Sequence, residues 1–197
     1  LGTGLTRDKR PAVYLSETHK PLAVVGTTKI TGDAFLPSQG IKTGSIAGHS
    51  YYGQTLINGA VNTSTAELPE LKYEYTTSLK FYLEGFFPEN NSFIPISQFT
   101  TTINSFKDKV RGYYSLQGIV LDNVTLKGNI IIRSDEKIVV KRTAHLTDVV
   151  LAAPTIVIED GVTGNFQAIA QTSIQVGKNC SLLYPSAFLL LKKEGTD

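Results

Sequence analysis

The segment IVVKRTAHLTDVVLAAPT at residues 138–155 is followed by two segments of the same length and pattern, IVIEDGVTGNFQAIAQTS at 156–173 and IQVGKNCSLLYPSAFLLL at 174–191. Their alignment places apolar residues in three columns: Ile138 with Ile156 and Ile174, Val140 with Ile158 and Val176, and Ala144 with Val162 and Cys180. A fixed period with alternating apolar residues is typical of a parallel β-helix, because each coil packs its inward side chains on those of the next. The sequence therefore predicts an all-β fold, a short-coil, right-handed parallel β-helix with about 18 residues per coil.

The segment VLDNVTLKGNIIIRSDEK at residues 120–137 extends the repeat by one coil towards the N-terminus. The alignment adds residues to two columns and two inward residues later in the coil: Val120 over Ile138, Leu126 over Ala144, and the pair Ile130 and Ile132. Within each coil the apolar residues recur at every second position, as one buried strand face requires. We therefore expect at least four stacked coils in this part of the chain.

Charged residues follow the same register. Arg142, Asp160 and Lys178 share one column, and Lys141 lies beside Glu159 in the preceding column. Parallel coils are about 4.8 Å apart, so opposite charges would be neighbours in both columns. The alternation of sign supports the alignment of the coils.

An earlier segment resembles the repeat. ITGDAFLPSQ at residues 30–39 aligns with LKGNIIIRSD at residues 126–135, with Gly32 over Gly128 and Leu36 over Ile132. Glycine suits a tight corner, because it adopts positive φ without steric cost. Residues 21–61 are therefore expected to contribute one or two coils of the same stack.

Residues 66–118 break the repeat and carry most of the aromatic side chains. Helical spacing of apolar residues from Leu68 to Tyr82 predicts one helix, and a second helix is predicted from Ile96 towards Val110. We interpret this segment as a partly helical, aromatic-rich insertion in a single domain that spans residues 1–197. It would be either a cap over unpaired main-chain groups at the end or side of the stack, or a binding element.

Composition excludes several classes of function. The net charge is +2 with 18% charged residues and no basic cluster, so nucleic acid is not an expected partner. The longest apolar run, at residues 187–191, is far shorter than the roughly 20 residues of a membrane-spanning helix. The chain begins at Leu1 and contains no Met, which indicates a processed or excised piece. Any membrane contact is therefore expected through an anchor outside this chain.

Residues that bind metals are scattered along the sequence. His19, His49 and His145 show no paired ligand spacing, and Cys180 is the only cysteine. Cys180 shares its column with small apolar residues, which favours a buried thiol over a reactive one. The sequence predicts no metal site and no cofactor.

Acidic residues give no catalytic pattern either. Polysaccharide-cleaving β-helix enzymes need grouped carboxylates, whereas Asp148 has Phe166 and Tyr184 in the adjacent coils. Asp135 and Glu136 are adjacent but lie in a predicted turn. We therefore predict no catalytic residues and no enzymatic activity.

The run IIIRSDEKIVV at residues 130–140, followed by DVVLAAPTIVIEDGVTG at 148–164, resembles the polymer-forming, bactofilin-like β-helix proteins. It resembles more closely the bacterial cell-envelope proteins in which such a β-helix follows an N-terminal anchor. The resemblance covers about residues 20–60 and 119–191. It implies a scaffold or assembly role and an extracytoplasmic location, in the periplasm or at the cell surface, with membrane anchoring in the full-length protein.

These observations favour a non-enzymatic structural or assembly module of the bacterial cell envelope that binds a protein partner or self-associates. The alternatives are a binding module for surface polysaccharide and a β-helical polysaccharide lyase or hydrolase. Aromatic residues are favoured at interaction surfaces because their rings bury large areas or stack on sugars. The candidate surface residues are Phe86, Phe87, Tyr51, Tyr52 and Tyr184.

Overall fold

The computed structural model describes residues 11–70, 73–85 and 101–191. It consists mostly of strands (52%), which form a β-solenoid of about 8 turns with about 19 residues per turn. The predicted all-β, short-coil parallel β-helix is therefore confirmed, while its winding hand stays a prediction. The chain divides into two compact units, Leu1–Leu71 and Lys72–Asp197, called unit 1 and unit 2 below. The predicted single domain with an insertion at 66–118 stays a prediction.

Unit 1 consists of short strands in coils of uneven length. The strands are β1 (Val13–Tyr14), β2 (Leu22–Val24), β3 (Ile30–Thr31), β4 (Ala34–Leu36), β5 (Ile41–Thr43), β6 (Ser45–Ile46), β7 (His49–Ser50), β8 (Ile57–Asn58) and β9 (Val61–Thr63). Parallel pairs join Leu22 to Ile41 and Ala34 to Val61, which are 19 and 27 residues apart. The longer spacing contains β6 and β7, an antiparallel hairpin. The prediction that residues 21–61 form coils is confirmed.

Unit 2 has longer strands and one helical segment. The elements are α1 (Tyr73–Lys80), a π-helical turn (Phe81–Gly85), β10 (Thr101–Asn104), β11 (Arg111–Ser115), β12 (Ile119–Leu121), β13 (Thr125–Ser134), β14 (Lys137–Val140), β15 (His145–Ile158), β16 (Thr163–Val176), β17 (Ser181–Leu182) and β18 (Ala187–Leu190). The strand-to-strand pairs in this unit are parallel.

Three faces repeat along the stack of unit 2. The first face is formed by residues 119–121, 137–140, 155–158 and 173–176, which pair in that order. The second face contains the first residues of β13, β15 and β16 together with β17, and the third contains the middle of the same long strands together with β18. The predicted columns of Ile138 and Val140 are confirmed. Inward side chains from all three faces form one core, which includes Ile130, Ile132, Val149, Leu151, Ile156, Ile158 and Phe166.

Two alignments predicted for the coil at residues 120–137 are wrong. The observed pairs are Ile119 with Ile138 and Leu126 with Leu146, in place of Val120 with Ile138 and Leu126 with Ala144. This coil has one residue more than the next coil between Lys127 and Ile130 and one more between Arg133 and Lys137. Its turn at 122–124 is one residue shorter than the turn at 141–144, so the coils do not repeat at a constant 18 residues. Because neighbouring residues of a strand point to opposite sides, this shift puts Val120 in solvent and Ile119 in the core.

The helical segment lies on the outer side of the third face. Leu79 of α1 and Leu83 of the π-helical turn are buried against Ala152 and Ile169, which project outward from β15 and β16. Gln171 Nε2 donates a hydrogen bond to Glu84 Oε1 (3.1 Å). The first predicted helix is therefore confirmed in part, with later bounds, and it covers the side of the stack.

The second predicted helix is wrong in its described part. β10 lies in this stretch and pairs with β13, and β11 follows directly after it and pairs with the same strand. Thr102 and Asn104 are buried whereas Ile103 is exposed, so polar residues occupy the inward positions. The Asn104 side-chain amide satisfies its burial by donating to the carbonyls of Lys109 (2.9 Å) and Asn129 (2.8 Å). Because polar residues face inward and an apolar residue faces outward here, the sequence pattern did not predict a strand.

Candidate interaction site

The five predicted surface aromatics belong to different parts of the chain. Phe86 and Phe87 lie outside the described residues. Tyr51 and Tyr52 follow the β6–β7 hairpin of unit 1, and Tyr184 precedes β18 of unit 2. Tyr52 and Tyr184 are 70% and 73% exposed, whereas the hydroxyl of half-buried Tyr51 donates to a main-chain carbonyl (2.7 Å). Their role as an interaction surface stays a prediction.

Asp135 belongs to a structural cluster on the outer side of the third face. Its carboxylate accepts hydrogen bonds from Arg133 Nη2 (3.0 Å) and from the Tyr114 hydroxyl. The guanidinium carbon of Arg133 also lies 5.1 Å from the centroid of the Tyr114 ring. The hydrogen bond to Asp135 raises the pKa of the Tyr114 hydroxyl, with burial as a second cause. This acid is therefore engaged with its neighbours in adjacent coils.

The acids after the first face also connect coils. Glu159 Oε1 lies 2.5 Å from Lys141 Nζ, which confirms the predicted proximity of this pair. The hydrogen bond to Glu159 raises the pKa of the Lys141 ammonium. In the next column, Asp160 Oδ1 accepts the main-chain N–H of Lys178 (2.7 Å). Both carboxylates therefore fix one coil to the next.

The remaining residues with reactive side chains are separated from one another. Asp148 Oδ1 accepts a hydrogen bond from Asn165 Nδ2 (2.7 Å), and His145 is exposed. Cys180 is half-buried, and its Sγ donates to the carbonyl of Glu159 (3.2 Å). Among the described residues, no three His, Cys, Asp or Glu side chains are grouped as metal ligands.

The inward column of the first face becomes exposed at its last coil. Val140 and Ile158 are 0% and 1% exposed, whereas Val176 is 48% exposed. Ile174, Cys180, Leu182 and Phe188 pack on the core but are only partly buried. No described strand pairs with residues 173–176, β17 or β18 on the side away from the preceding coil. We call this surface, formed by 173–176, β17 and β18, the open end.

The main chain of the first face is directed towards the open end. In successive coils the carbonyl of an inward residue accepts an N–H from the coil above: Leu121 from Lys141 (2.9 Å), Val140 from Glu159 (3.0 Å) and Ile158 from Gly177 (2.8 Å). Alternate residues of a parallel strand bond to opposite neighbours. Val176 holds the next position in this series, so its main-chain polar groups point away from the stack and can accept another strand.

A groove lies beside the same strand. Its volume is about 610 Å³. It runs between the last two coils of the first face, and charges of both signs line it next to exposed apolar surface. The lining includes Arg142, Ile158, Glu159, Asp160, Val176 and Gly177. The open end therefore combines unpaired main chain, apolar side chains and charge.

The sequence columns alone did not identify this surface. Val176 and Cys180 occupy inward columns, and an inward position predicts burial when another coil covers it. Side-chain direction alone therefore did not distinguish the exposed Val176 from the buried Val140 and Ile158 of the same column.

Comparison with known proteins gave no matching family, no similar curated protein and no similar solved structure. Within the described ranges, no helix has the length and apolar character needed to cross a membrane.

Proposed function

We propose that this chain is a non-enzymatic structural module of the bacterial cell envelope, which assembles with another polypeptide through the open end. The main support is the 48% exposure of Val176 above two coils whose equivalent residues are buried. Uncovered strands offer main-chain hydrogen bonds to an incoming chain, and exposed apolar side chains add the hydrophobic contribution.

The arrangement of the carboxylates supports a non-enzymatic role. Glycoside-cleaving enzymes hold two carboxyl groups across the bond that they break. Here Asp135, Glu159 and Asp160 are each bonded to a cation, a hydroxyl or a main-chain N–H of a neighbouring coil. The resemblance to bactofilin-like envelope proteins supports the extracytoplasmic location and the assembly role together.

Binding of a surface polysaccharide is the second candidate. The exposed rings of Tyr52 and Tyr184 favour it, because sugars stack on accessible aromatic faces. Each ring belongs to a different unit. Replacement of either tyrosine by alanine should then weaken glycan binding, as measured by titration calorimetry with purified envelope polysaccharide.

The assembly proposal is tested by site-specific photo-crosslinking in the native cells. A photoreactive residue at position 176 should yield discrete protein adducts, and the same residue at neighbouring position 175 should yield few, because Gln175 projects from the side of the stack. Purified protein should also release no product from acidic or neutral polysaccharides. Product release, or equal adduct patterns at both positions, would contradict the proposal.

A further inference from the structure

We infer that the open end binds an extended segment of a partner polypeptide as an additional parallel strand on the first face. The segment places apolar side chains over Ile174 and Val176 and a carboxylate over Lys178. This inference rests on the proposed assembly role and specifies the chemistry of the partner.

The apolar requirement follows from the columns of the first face. Ile138, Ile156 and Ile174 form one inward column, and Val176 ends the adjacent one. Side chains directly opposite each other on paired strands stabilise the sheet when both are apolar and branched. A strand over residues 174–176 must therefore carry two apolar residues separated by one position.

The acidic requirement follows from the charges of the next column. Arg142, Asp160 and Lys178 alternate in sign along the stack, and Lys178 is exposed in the last coil. A carboxylate in the incoming strand, two residues after its second apolar residue, would continue that alternation. Opposite charges in facing positions stabilise paired strands, and like charges destabilise them.

The chain itself contains a segment with this pattern. Ile156 and Ile158 lie in β15 and already pair with Ile174 and Val176 from the opposite side, and Asp160 lies in the turn that follows β15. There Asp160 Oδ1 accepts the Lys178 N–H at 2.7 Å. A partner segment of the same type would repeat on the open side the apolar contacts that this strand makes on the closed side, and its carboxylate would meet the exposed side chain of Lys178.

The same charge argument disfavours a second copy on this strand. Two copies that meet at their open ends would pair residues 171–178 with the same residues in antiparallel orientation. That segment, QTSIQVGK, contains no carboxylate, so neither Lys178 would face an acid. A parallel partner strand is the occupant that matches both the apolar and the charged columns.

The edge also lacks features that prevent strand addition. Soluble proteins commonly protect edge strands with lysine, proline or a bulge. Residues 173–176, SIQV, contain no charged residue and no proline. Among the described residues, no strand pairs with this edge on the side away from the preceding coil, so its chemistry permits strand addition.

The test uses a fluorescent peptide with the sequence TIVIEDGV, copied from residues 155–162, and measures its binding to the purified protein by anisotropy. Val176→Lys should weaken binding at least about tenfold, because it places a charge in the apolar column. Gln175→Lys is the matched control and should leave the affinity unchanged, because that side chain projects outward. Circular dichroism establishes that both variants are folded.

A charge exchange tests the register. Lys178→Glu should weaken binding of TIVIEDGV and strengthen binding of TIVIEKGV, in which lysine replaces the aspartate. Absence of binding, or binding that neither Val176→Lys nor the charge exchange alters, would refute the inference. Sedimentation velocity adds a separate outcome: self-association that Val176→Lys abolishes would identify a second copy as the occupant and refute the partner-strand inference.

The peptide result is distinguishable from the result of the crosslinking experiment. If position 176 gives discrete adducts but the peptide does not bind, the assembly role stands and the inferred partner chemistry is wrong. If both experiments are negative, the inferred partner chemistry and the proposed assembly function are both wrong.

Discussion

The two units of this solenoid differ in how regularly their coils repeat. In unit 2, β15 and β16 are each 14 residues long and pair over most of their length. In unit 1 each strand has two or three residues, and the positions that pair in parallel are 19 to 27 residues apart. The core differs accordingly: only Val24, Ala34, Leu36 and Pro37 are buried apolar residues among the described part of unit 1. A constant period concentrates apolar side chains in columns, and an irregular one disperses them.

Unit 1 relies more on polar contacts between its loops. Glu17 accepts hydrogen bonds from the main-chain N–H groups of His19 (2.7 Å) and Ser38 (2.6 Å). The rings of Tyr14 and Phe35 stack with centroids 5.2 Å apart. Such contacts each contribute little, because water competes for exposed hydrogen-bonding groups. Unit 1 should therefore be the less stable of the two.

The largest expected effect is that of Ile158→Asp in the core of unit 2. Ile158 is fully buried between Val140 and Val176, so the substitution would bury an unpaired carboxylate and prevent folding of the unit. Val157→Asp is the matched control, because the neighbouring side chain is only partly buried on the outside. Circular dichroism should show loss of β-structure for the first variant only, and a folded Ile158→Asp protein would disprove the assigned register.

The second prediction compares equivalent deletions in the two units. Leu36 in unit 1 and Leu151 in unit 2 are both fully buried, and each change to alanine should cost about 2–5 kcal/mol of unfolding free energy. In Leu36→Ala, amide hydrogen exchange should accelerate in β1, β4 and β9 while β13, β15 and β16 stay protected. Equal acceleration in both units would show that they unfold together and that the difference in regularity has no energetic consequence.

A pair of glycines gives a smaller effect. Gly128 has φ of +97°, and an added Cβ would lie 2.0 Å from the carbonyl oxygen of Asn104 in the coil below. Gly128→Ala should therefore destabilise by about 1–3 kcal/mol or more. Gly26 of unit 1 also has positive φ (+61°), but nothing lies within 4 Å of the added atom, so Gly26→Ala should cost only about 1 kcal/mol. Denaturant titration measures the unfolding free energy of both variants. Similar losses of unfolding free energy would mean that the close approach of the neighbouring coil does not require glycine at position 128.

The same difference explains how far the sequence could be interpreted. In unit 2 the repeat from Ile138 onward gave the correct register on the first face, where paired residues are 18 apart and the inward residues are apolar. On the third face the predicted column of Asp148, Phe166 and Tyr184 is wrong, because Phe166 pairs with Val149 and the next strand is shifted by a further two residues. At β10 the inward residues are Thr102 and Asn104, and only their three-dimensional hydrogen-bond partners make that arrangement stable. Extra residues later in its coil also shifted Val120 by one position. A sequence period predicts the inward columns correctly where successive coils have the same length, and it fails where a coil gains or loses a residue.

The open end shows a related limit. The alignment predicted the column that contains Val176 but treated every inward position as buried. Burial depends on the coil above as well as on the direction of the side chain. An alignment column predicts only the direction of the side chain. Exposed aromatics such as Tyr184 were easier to propose from composition, although composition does not indicate which residues lie together.

The smallest expected effect is a loss of stability of unit 1 at acidic pH. Hydrogen bonds from the main-chain N–H groups of Ser38 and then of His19 lower the pKa of Glu17 below its usual value of 4.5. A carboxyl whose pKa is lower in the folded state contributes stability that is fully present above its unfolded pKa and is lost as the pH falls through the folded pKa. Unit 1 should therefore lose stability below about pH 4.5 through this group.

Glu17→Gln should reduce that acid sensitivity, because an amide does not titrate. Its single oxygen can accept only one of the two N–H groups, which bind separate oxygens of Glu17, so the variant should also be less stable at neutral pH. Glu67→Gln is a suitable control, since it removes one carboxylate from the same unit. The measurement is hydrogen exchange of the amides at Ser38 and His19 between neutral pH and pH 3, corrected for the intrinsic exchange rate. If the wild-type protein and Glu17→Gln lost protection at the same pH, the Glu17 carboxylate would not stabilise the loops of unit 1. Polar loop contacts would then not explain how unit 1 is stabilised, in contrast to the apolar core of unit 2.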